Sequence, residues 1–328
     1  MNIKNNTFII AEIGNNHEGS FHTAVKLINS AHKCGVDAVK FQTFKTEKFI
    51  SSSNIENFNK YKNFELSHDE FYKLSIIAKK KRLKFISTPF DLESAEFLNN
   101  IVDAFKIASG DNNYFELIRK VIGFKKETLI STGLLDKNGL NRLYNFIKNK
   151  KFNLNKLTLM HCVSGYPVPD KYANLRNISL IKNNYKCRPG YSDHTKGIYA
   201  GVAAVSLGAK VIEKHFTIDN NFSKFRDHKM ALNPKDMKDF VKSIRIADLM
   251  LGKENKKIQK CEEGILKYAR RNYYFNKEIK IGNKINKKDL DYVRPAKHLK
   301  KININFLIKK KTKKRIKKNQ IIKPEQFI

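Results

Sequence analysis

Through residue 252 the chain alternates short β-branched runs with amphipathic stretches, and the alternation repeats eight times. The runs fall at residues 7–14, 37–43, 84–89, 104–109, 127–132, 157–163, 189–193 and 211–216. After the first, apolar residues recur at Ala24, Leu27, Ile28, Ala31 and Cys34, which is helical spacing. Before the third, Ser67-His68-Asp69-Glu70 has the form of a capping box and opens another helix. Residues 197–207 and 234–251 supply the amphipathic segments after the seventh and eighth runs. The runs are nearly all apolar, as parallel strands covered on both faces must be. Eight strand-then-helix units give an α/β chain of the (β/α)8 TIM-barrel type.

An open, doubly wound sheet also alternates, so the polar residues have to decide. Glu12, Lys40, Gln42, Thr88, Lys106, Ser109, Ser131, His161, Ser164, Ser192, His194 and His215 stand at or near the C-terminal ends of the runs. A barrel brings those ends together on one face, where its active sites are found; an open sheet does not. The rhythm stops after Leu251-Gly252. Residues 253–268 read as a polar, helix-compatible linker. Residues 269–328 read as a small second domain of short β-like pieces, with a turn at Gly282.

The strand ends suggest two kinds of chemistry. His194 and His215 close adjacent runs, so both imidazoles can face one point above the barrel and hold a divalent cation such as Mn²⁺, Zn²⁺ or Fe²⁺. Asp193 and Glu213 are expected to fix their tautomers. Lys40, Lys106, Ser109, Ser131 and Ser192 form the second group, two cations and three hydroxyls suited to a small anion such as a phosphate ester. A lysine inside an apolar strand is costly unless a charge meets it, which separates Lys40 and Lys106 from the many surface lysines. Glu12 meets the same objection and becomes a candidate acid, base or substrate ligand. Tyr166 follows the sixth run and Asp227 lies on the long loop after the eighth.

Charge and composition narrow the class. A net charge of +34 raises the question of nucleic acid. The excess is mostly lysine scattered beside Asn and Ile, as an AT-rich coding bias would leave it. The dense run at residues 309–318 has no interleaved aromatics for base stacking and reads as a solvated face or frayed tail. A polyanion-binding protein on a barrel scaffold is the rival from another class, but it gives no reason for Lys and Glu inside strands. No apolar run is long enough to span a membrane, and the first residues lack a signal-peptide pattern. Cys34, Cys162, Cys187 and Cys261 are widely spaced, with no C-x-x-C pair. A cytoplasmic enzyme without a nucleic-acid partner is expected.

Eight segments in order resemble the sialic acid synthase family: Ala11-Glu12-Ile13-Gly14-Asn15-Asn16-His17-Glu18-Gly19, Val39-Lys40-Phe41-Gln42-Thr43, Ser87-Thr88-Pro89-Phe90-Asp91, Phe105-Lys106-Ile107-Ala108-Ser109-Gly110-Asp111, Ser131-Thr132-Gly133, His161-Cys162-Val163-Ser164-Gly165-Tyr166-Pro167, Gly190-Tyr191-Ser192-Asp193-His194-Thr195 and Glu213-Lys214-His215-Phe216-Thr217. Residues 270–295 resemble that family's antifreeze-like (SAF, β-clip-like) domain. The resemblance implies a metal-dependent condensation of phosphoenolpyruvate with N-acetylmannosamine to give N-acetylneuraminate. It implies Mn²⁺ or Mg²⁺ on His194 and His215. Lys40, Thr88, Lys106, Ser109, Ser131 and Ser192 would hold phosphoenolpyruvate. Glu12, Gln42, Tyr166 and Asp227 would contact the sugar or serve the chemistry, and Asp111 stands where an acidic residue is expected. Arg294 matches an arginine that reaches across a domain-swapped homodimer into the partner's barrel. Ser164 replaces an asparagine of some members near the sugar, and the same motifs fit synthases of legionaminic type, which use a 2,4-diacetamido-trideoxy sugar. Ala296-Lys297-His298-Leu299 stands where a glycine-rich turn is usual, which implies a reshaped second domain.

Overall fold

Eight parallel strands close on themselves: β1 (Phe8–Gly14), β2 (Ala38–Thr43), β3 (Lys84–Pro89), β4 (Ala104–Ile107), β5 (Glu127–Ser131), β6 (Leu157–Cys162), β7 (Arg188–Asp193) and β8 (Val211–His215). Each pairs with its sequence neighbour, and β1 pairs with β8 to shut the barrel, from Phe8 opposite Val211 to Glu12 opposite His215. The computed structural model describes residues 6–294 and 303–328, and the chain divides into units at residues 1–252 and 253–328. The open-sheet alternative is excluded by the closure.

Strand side chains alternate between faces, and that period sorts the sequence into an outer shell and an inner column. Outward residues such as Ile9, Val39, Phe41, Phe85, Phe105 and Ile130 pack with the helices into one continuous core. Fully burying each such side chain stabilises the fold by about 1.5–3 kcal/mol. The helix Phe21–Cys34 turns Ala24, Leu27, Ile28, Ala31 and Cys34 to this shell. Its N-terminus is capped by the Ser20 hydroxyl, which accepts from the Thr23 N–H, and Gly35 ends it in the left-handed conformation. The helix His68–Lys80 carries the reciprocal Ser67–Glu70 capping box. The inward residues Phe8, Ile10, Ala38, Ile86, Ala104, Leu129, Met160 and Val211 make a separate apolar plug across the barrel floor. Two residues further along β1, β2, β4 and β8 the inward positions become Glu12, Lys40, Lys106 and Glu213. The plug is therefore the floor of the site.

In the second unit β9 (Asn272–Phe275) pairs antiparallel with β10 (Leu290–Val293). A small core gathers Phe275, Ile279, Ile285, Leu307, Ile316 and Phe327, and Gly282 makes its turn at φ 77°. The basic run is threaded into this unit: Ile279 and Ile316 exchange backbone hydrogen bonds of 2.9 Å. Thr312 and Ile316 point inward, while Lys311, Lys313, Lys314, Lys317 and Lys318 are exposed. Residues 253–268 include most of a helix, Glu263–Ala269. The tetrad 296–299, like the first five residues, lies outside the described residues. Among the described residues no helix is long and apolar enough to cross a membrane.

Candidate active site

Directly above the plug lies a buried four-charge network. Lys40 Nζ is 2.8 Å from Glu12 Oε2 and 3.8 Å from Glu213 Oε2, and it donates to Thr88 Oγ1 at 3.0 Å. Lys106 Nζ lies 3.1 Å from Glu213 Oε1, which also accepts from the Ser192 hydroxyl at 2.8 Å. All four charged side chains are at most 5% exposed. Such charges survive burial only when paired, because desolvation costs several kcal/mol per ion. Burial pushes the Glu213 carboxyl up, but Lys106 and Lys40 outweigh it and hold it at about 2. Burial raises Glu12 against the pull of Lys40, with the Glu213 charge adding to the rise. Lys40 is depressed by burial and raised more by Glu12 and Glu213, so it stays charged.

Gln42 donates to Glu12 Oε1 at 3.3 Å and accepts from Asn15 at 2.8 Å, which fixes the face that Glu12 presents. Glycine is favoured at position 14 on two counts. Its φ is +54°, and a Cβ there would stand 3.2 Å from Glu12 Oε1 and 3.3 Å from Gln42 Nε2. Gly133 has a comparable role between two hydroxyls: a Cβ would lie 2.6 Å from Ser164 Oγ and 2.7 Å from Ser109 Oγ. The Ser131 and Ser164 hydroxyls are buried with no hydrogen-bond partner. A buried hydroxyl in that state costs about 1–3 kcal/mol unless something in the cavity binds it.

The two imidazoles converge, with ring centroids 5.4 Å apart. His194 Nδ1 lies 3.0 Å from the Val163 carbonyl and 3.7 Å from Cys162 Sγ. A carbonyl only accepts, so Nδ1 carries a proton; burial lowers the His194 pKa, but Cys162 and that carbonyl raise it more, so it stands above its ordinary value. Burial and the neighbouring His194 hold His215 well below its ordinary range, so its ring is neutral. His215 Nδ1 has no hydrogen-bond partner and sits 3.9 Å from Asp227 Oδ2. Two imidazoles, once His194 gives up its second proton, present nitrogen lone pairs that fit a divalent cation. Among the described residues no group of three or more His, Cys, Asp or Glu is placed to hold a metal ion. A cation on this pair would complete its shell with water or substrate oxygens.

Loops wall the mouth. The Tyr166 ring stands 4.4 Å from that of His194, and the Arg226 guanidinium lies 4.7 Å over Tyr166 while reaching Asp227 Oδ1 at 3.4 Å. Burial raises Asp111 to about 6. Glu12, Lys40, Gln42, Thr88, Lys106, Ser109, Asp111, Ser131, Ser164, Tyr166, Ser192, His194, His215 and Asp227 all line one cavity of about 400 Å³. Arg294 stands exposed in the second unit, just after β10.

Three expectations need correction. Asp193 and Glu213 do not orient the imidazoles. Asp193 points out of the barrel, where it takes the Lys214 ammonium at 2.9 Å and the Thr195 hydroxyl at 2.7 Å. Glu213 points inward but one layer below His215, among the lysines. His161 does not join the strand-end ring, since odd–even alternation on β6 turns it outward to the Ala173 carbonyl at 2.8 Å. The residues that sequence reasoning missed are Glu213 as counter-ion to both lysines, Cys162 beside His194, and Arg226. A sequence signal existed for Glu213: it stands two residues before His215, hence on the same strand face.

A closed parallel barrel whose C-terminal mouth gathers buried lysines, hydroxyls and an imidazole pair is the layout of an enzyme site for a small anion beside a divalent cation. Residues 27–256 match the NeuB family, and the chain belongs to it. A Methanocaldococcus jannaschii protein is 38% identical over 96% of this chain and 93% of its own length. The N,N'-diacetyllegionaminic acid synthase of Campylobacter jejuni is 35% identical over 97% of this chain and 99% of its own. The crystal structure of the N-acetylneuraminic acid (sialic acid) synthetase of Leptospira borgpetersenii, in complex with citrate, superposes with a TM-score of 0.75 at 33% identity. It covers 80% of this chain and 90% of that one.

Proposed function

We propose that the chain joins carbon 3 of phosphoenolpyruvate to the aldehyde carbon of an open-chain, N-acylated amino sugar, consuming water and releasing phosphate to give a nonulosonic acid. The observation that carries this reading is the single cavity in which Lys40, Lys106 and the partnerless Ser131 hydroxyl meet the imidazole pair. Lys40 and Lys106, with Thr88, Ser109, Ser131 and Ser192, hold the phosphate and carboxylate and stabilise charge as the phosphate leaves. Carbon 3 attacks the aldehyde carbon, whose oxygen takes a proton from solvent to become the new hydroxyl, and cationic character is left at carbon 2. Water adds there and gives its proton to Asp111, which is ionised above about 6. Phosphate then departs with cleavage of the carbon–oxygen bond. Glu12, oriented by Gln42, bonds a sugar hydroxyl or moves its proton; Tyr166, Ser164 and Asp227 border the sugar. His194 and His215 would hold Mn²⁺ or Mg²⁺, which would supply Lewis-acid chemistry toward the aldehyde.

N-acetylmannosamine is the acceptor the motifs imply. A 2,4-diacetamido-trideoxy sugar is the second reading, supported by the Campylobacter relative's 97% cover of this chain. We further read residues 269–328 as an antifreeze-like domain whose Arg294 enters the partner's site in a homodimer, and place the enzyme in the cytoplasm, which the four free cysteines support. The test measures phosphate release from phosphoenolpyruvate with Mn²⁺, using each sugar in turn and no sugar. Release that requires one sugar and stops with chelator is the expected result. Release without sugar, or from none of the acceptors by the folded protein, would overturn the reading.

A further inference from the structure

Residues 217–231 carry Asp227 to the catalytic cavity on a loop with little structure of its own. The helix within it, Arg226–Met230, has five residues and no side-chain cap, too short to be stable unaided. Asn220 ties the loop to itself, its carboxamide donating to the carbonyls of His228 and Ala231 at 2.8 Å each. A tie to another part of the barrel comes from Glu18, in the turn after β1. Its Oε1 lies 3.2 Å from His228 Nε2 and accepts from the Ser223 hydroxyl. A carboxylate only accepts, so Nε2 carries the proton. Burial lowers the His228 pKa more than Glu18 raises it, so the ring is neutral and its Nδ1 accepts from the Thr217 hydroxyl at 2.6 Å.

Glu18 is unusual in its backbone as well. Its φ is +47°, a left-handed conformation that glycine or asparagine adopts far more readily. Gly19 follows at φ +78°, where a Cβ would stand 2.0 Å from the Asn63 carbonyl oxygen, so the turn is pressed against the helix Ile55–Phe64. Strain of this kind persists where the surroundings demand it, and it collects at functional loops. Here the carboxylate is what the strained residue contributes. Neither Glu18 nor His228 lines the catalytic cavity, whereas Phe225, Arg226 and Asp227 do.

We propose that Glu18 and His228 are positioning residues, whose hydrogen bond fixes the loop 217–231 so that Asp227 stands against the acceptor sugar. The proposal rests on the condensation proposed above, in which Asp227 borders that sugar. A plain structural tie would instead lower stability and treat both substrates alike.

The experiment follows phosphate release with Mn²⁺ and the acceptor that wild type turns over. Glu18→Gly removes the carboxylate and suits the left-handed backbone, so it should melt close to wild type. It should raise the KM for the acceptor by at least about tenfold and that for phosphoenolpyruvate by less than about twofold. Glu18→Gln keeps an accepting oxygen and should hold the acceptor KM within about threefold of wild type. In an Asp227→Ala background, Glu18→Gly should change the acceptor kcat/KM by less than about threefold, because the group it positions is gone. Hydrogen exchange, which needs no turnover, should run at least about tenfold faster over residues 217–231 in Glu18→Gly, with the strands unchanged. An unchanged acceptor KM, an equal rise for both substrates, an undiminished effect beside Asp227→Ala, or unchanged exchange overturns the positioning role and leaves the condensation standing. If no sugar supports release by wild type, the condensation falls and the role in acceptor binding falls with it.

Discussion

His194 and His215 owe their geometry to different forces, so their removal should cost function rather than fold. His194 is oriented by one carbonyl, and the Nδ1 of His215 is left without a hydrogen bond. His194→Ala or His215→Ala therefore breaks no buried network. We expect each variant to keep its circular dichroism and melting temperature and to lose phosphate release. Full activity in either would remove the imidazole pair from the reaction. Glu213 is the opposite case, because two buried lysines depend on it. Glu213→Gln should lower stability by about 3–5 kcal/mol, the usual cost of stranding a buried charge, seen as a lower urea midpoint at pH 7. Asp111 gives a pH signature. Its folded pKa is raised from the ordinary 3.8 to about 6 by burial, so the folded state binds a proton more tightly than the unfolded chain. Ionised Asp111 thus destabilises the fold: the penalty is absent below about pH 4, grows through about pH 6 and is complete above it. Asp111→Asn should raise the melting temperature relative to wild type at pH 8 and not at pH 3.5. The same variant should lose the limb of kcat/KM that rises with pH near 6.

At the scale of strands and loops, alternation explains both what could be read from the sequence and what could not. The eight runs, their order and the helix Phe21–Cys34 were legible because burying a strand or a helix face imposes a period of two or of 3.6 residues. The strand-end residues were legible because charge inside an apolar run demands a reason, and Lys40, Lys106 and Glu12 each found one. Pairing was not legible. Whether Glu213 would meet an imidazole or a lysine depends on the stagger between strands, which no local pattern records. His161 was misplaced for a related reason: standing at a strand end says nothing about which face a side chain takes until the register is known. Loop geometry was equally hidden, and Gly133 is the clearest instance. Its neighbours Ser109 and Ser164 come from the ends of two other strands, and a Cβ would lie within 2.7 Å of both hydroxyls. Gly133→Ala should leave the barrel folded and raise the KM for phosphoenolpyruvate by at least about tenfold, since a misplacement near 1 Å in a preorganised site can cost about a hundredfold. An unchanged KM would show that the Ser109 hydroxyl does not touch that substrate.

For the whole molecule, the open question is whether one chain makes a complete site. The barrel unit supplies every candidate residue except Arg294, which stands after β10 in the second unit with its side chain exposed. A cation left in water on a small domain is unremarkable in a chain of net charge +34, so exposure alone assigns no role. Complementation does. Arg294→Ala has an intact barrel and lacks the arginine, whereas His215→Ala has the arginine and lacks the imidazole. If Arg294 acts in the partner's barrel, unfolding and refolding the two variants together yields mixed dimers in which one barrel receives an intact arginine from its neighbour. Random pairing makes about half the dimers mixed, each with one working site of two, so activity should return to about a quarter of wild type. If Arg294 serves its own barrel, no pairing restores a site and the mixture stays as inactive as its parts. If Arg294→Ala alone is fully active, the arginine has no part in turnover, and the second unit has to be explained by assembly or stability instead.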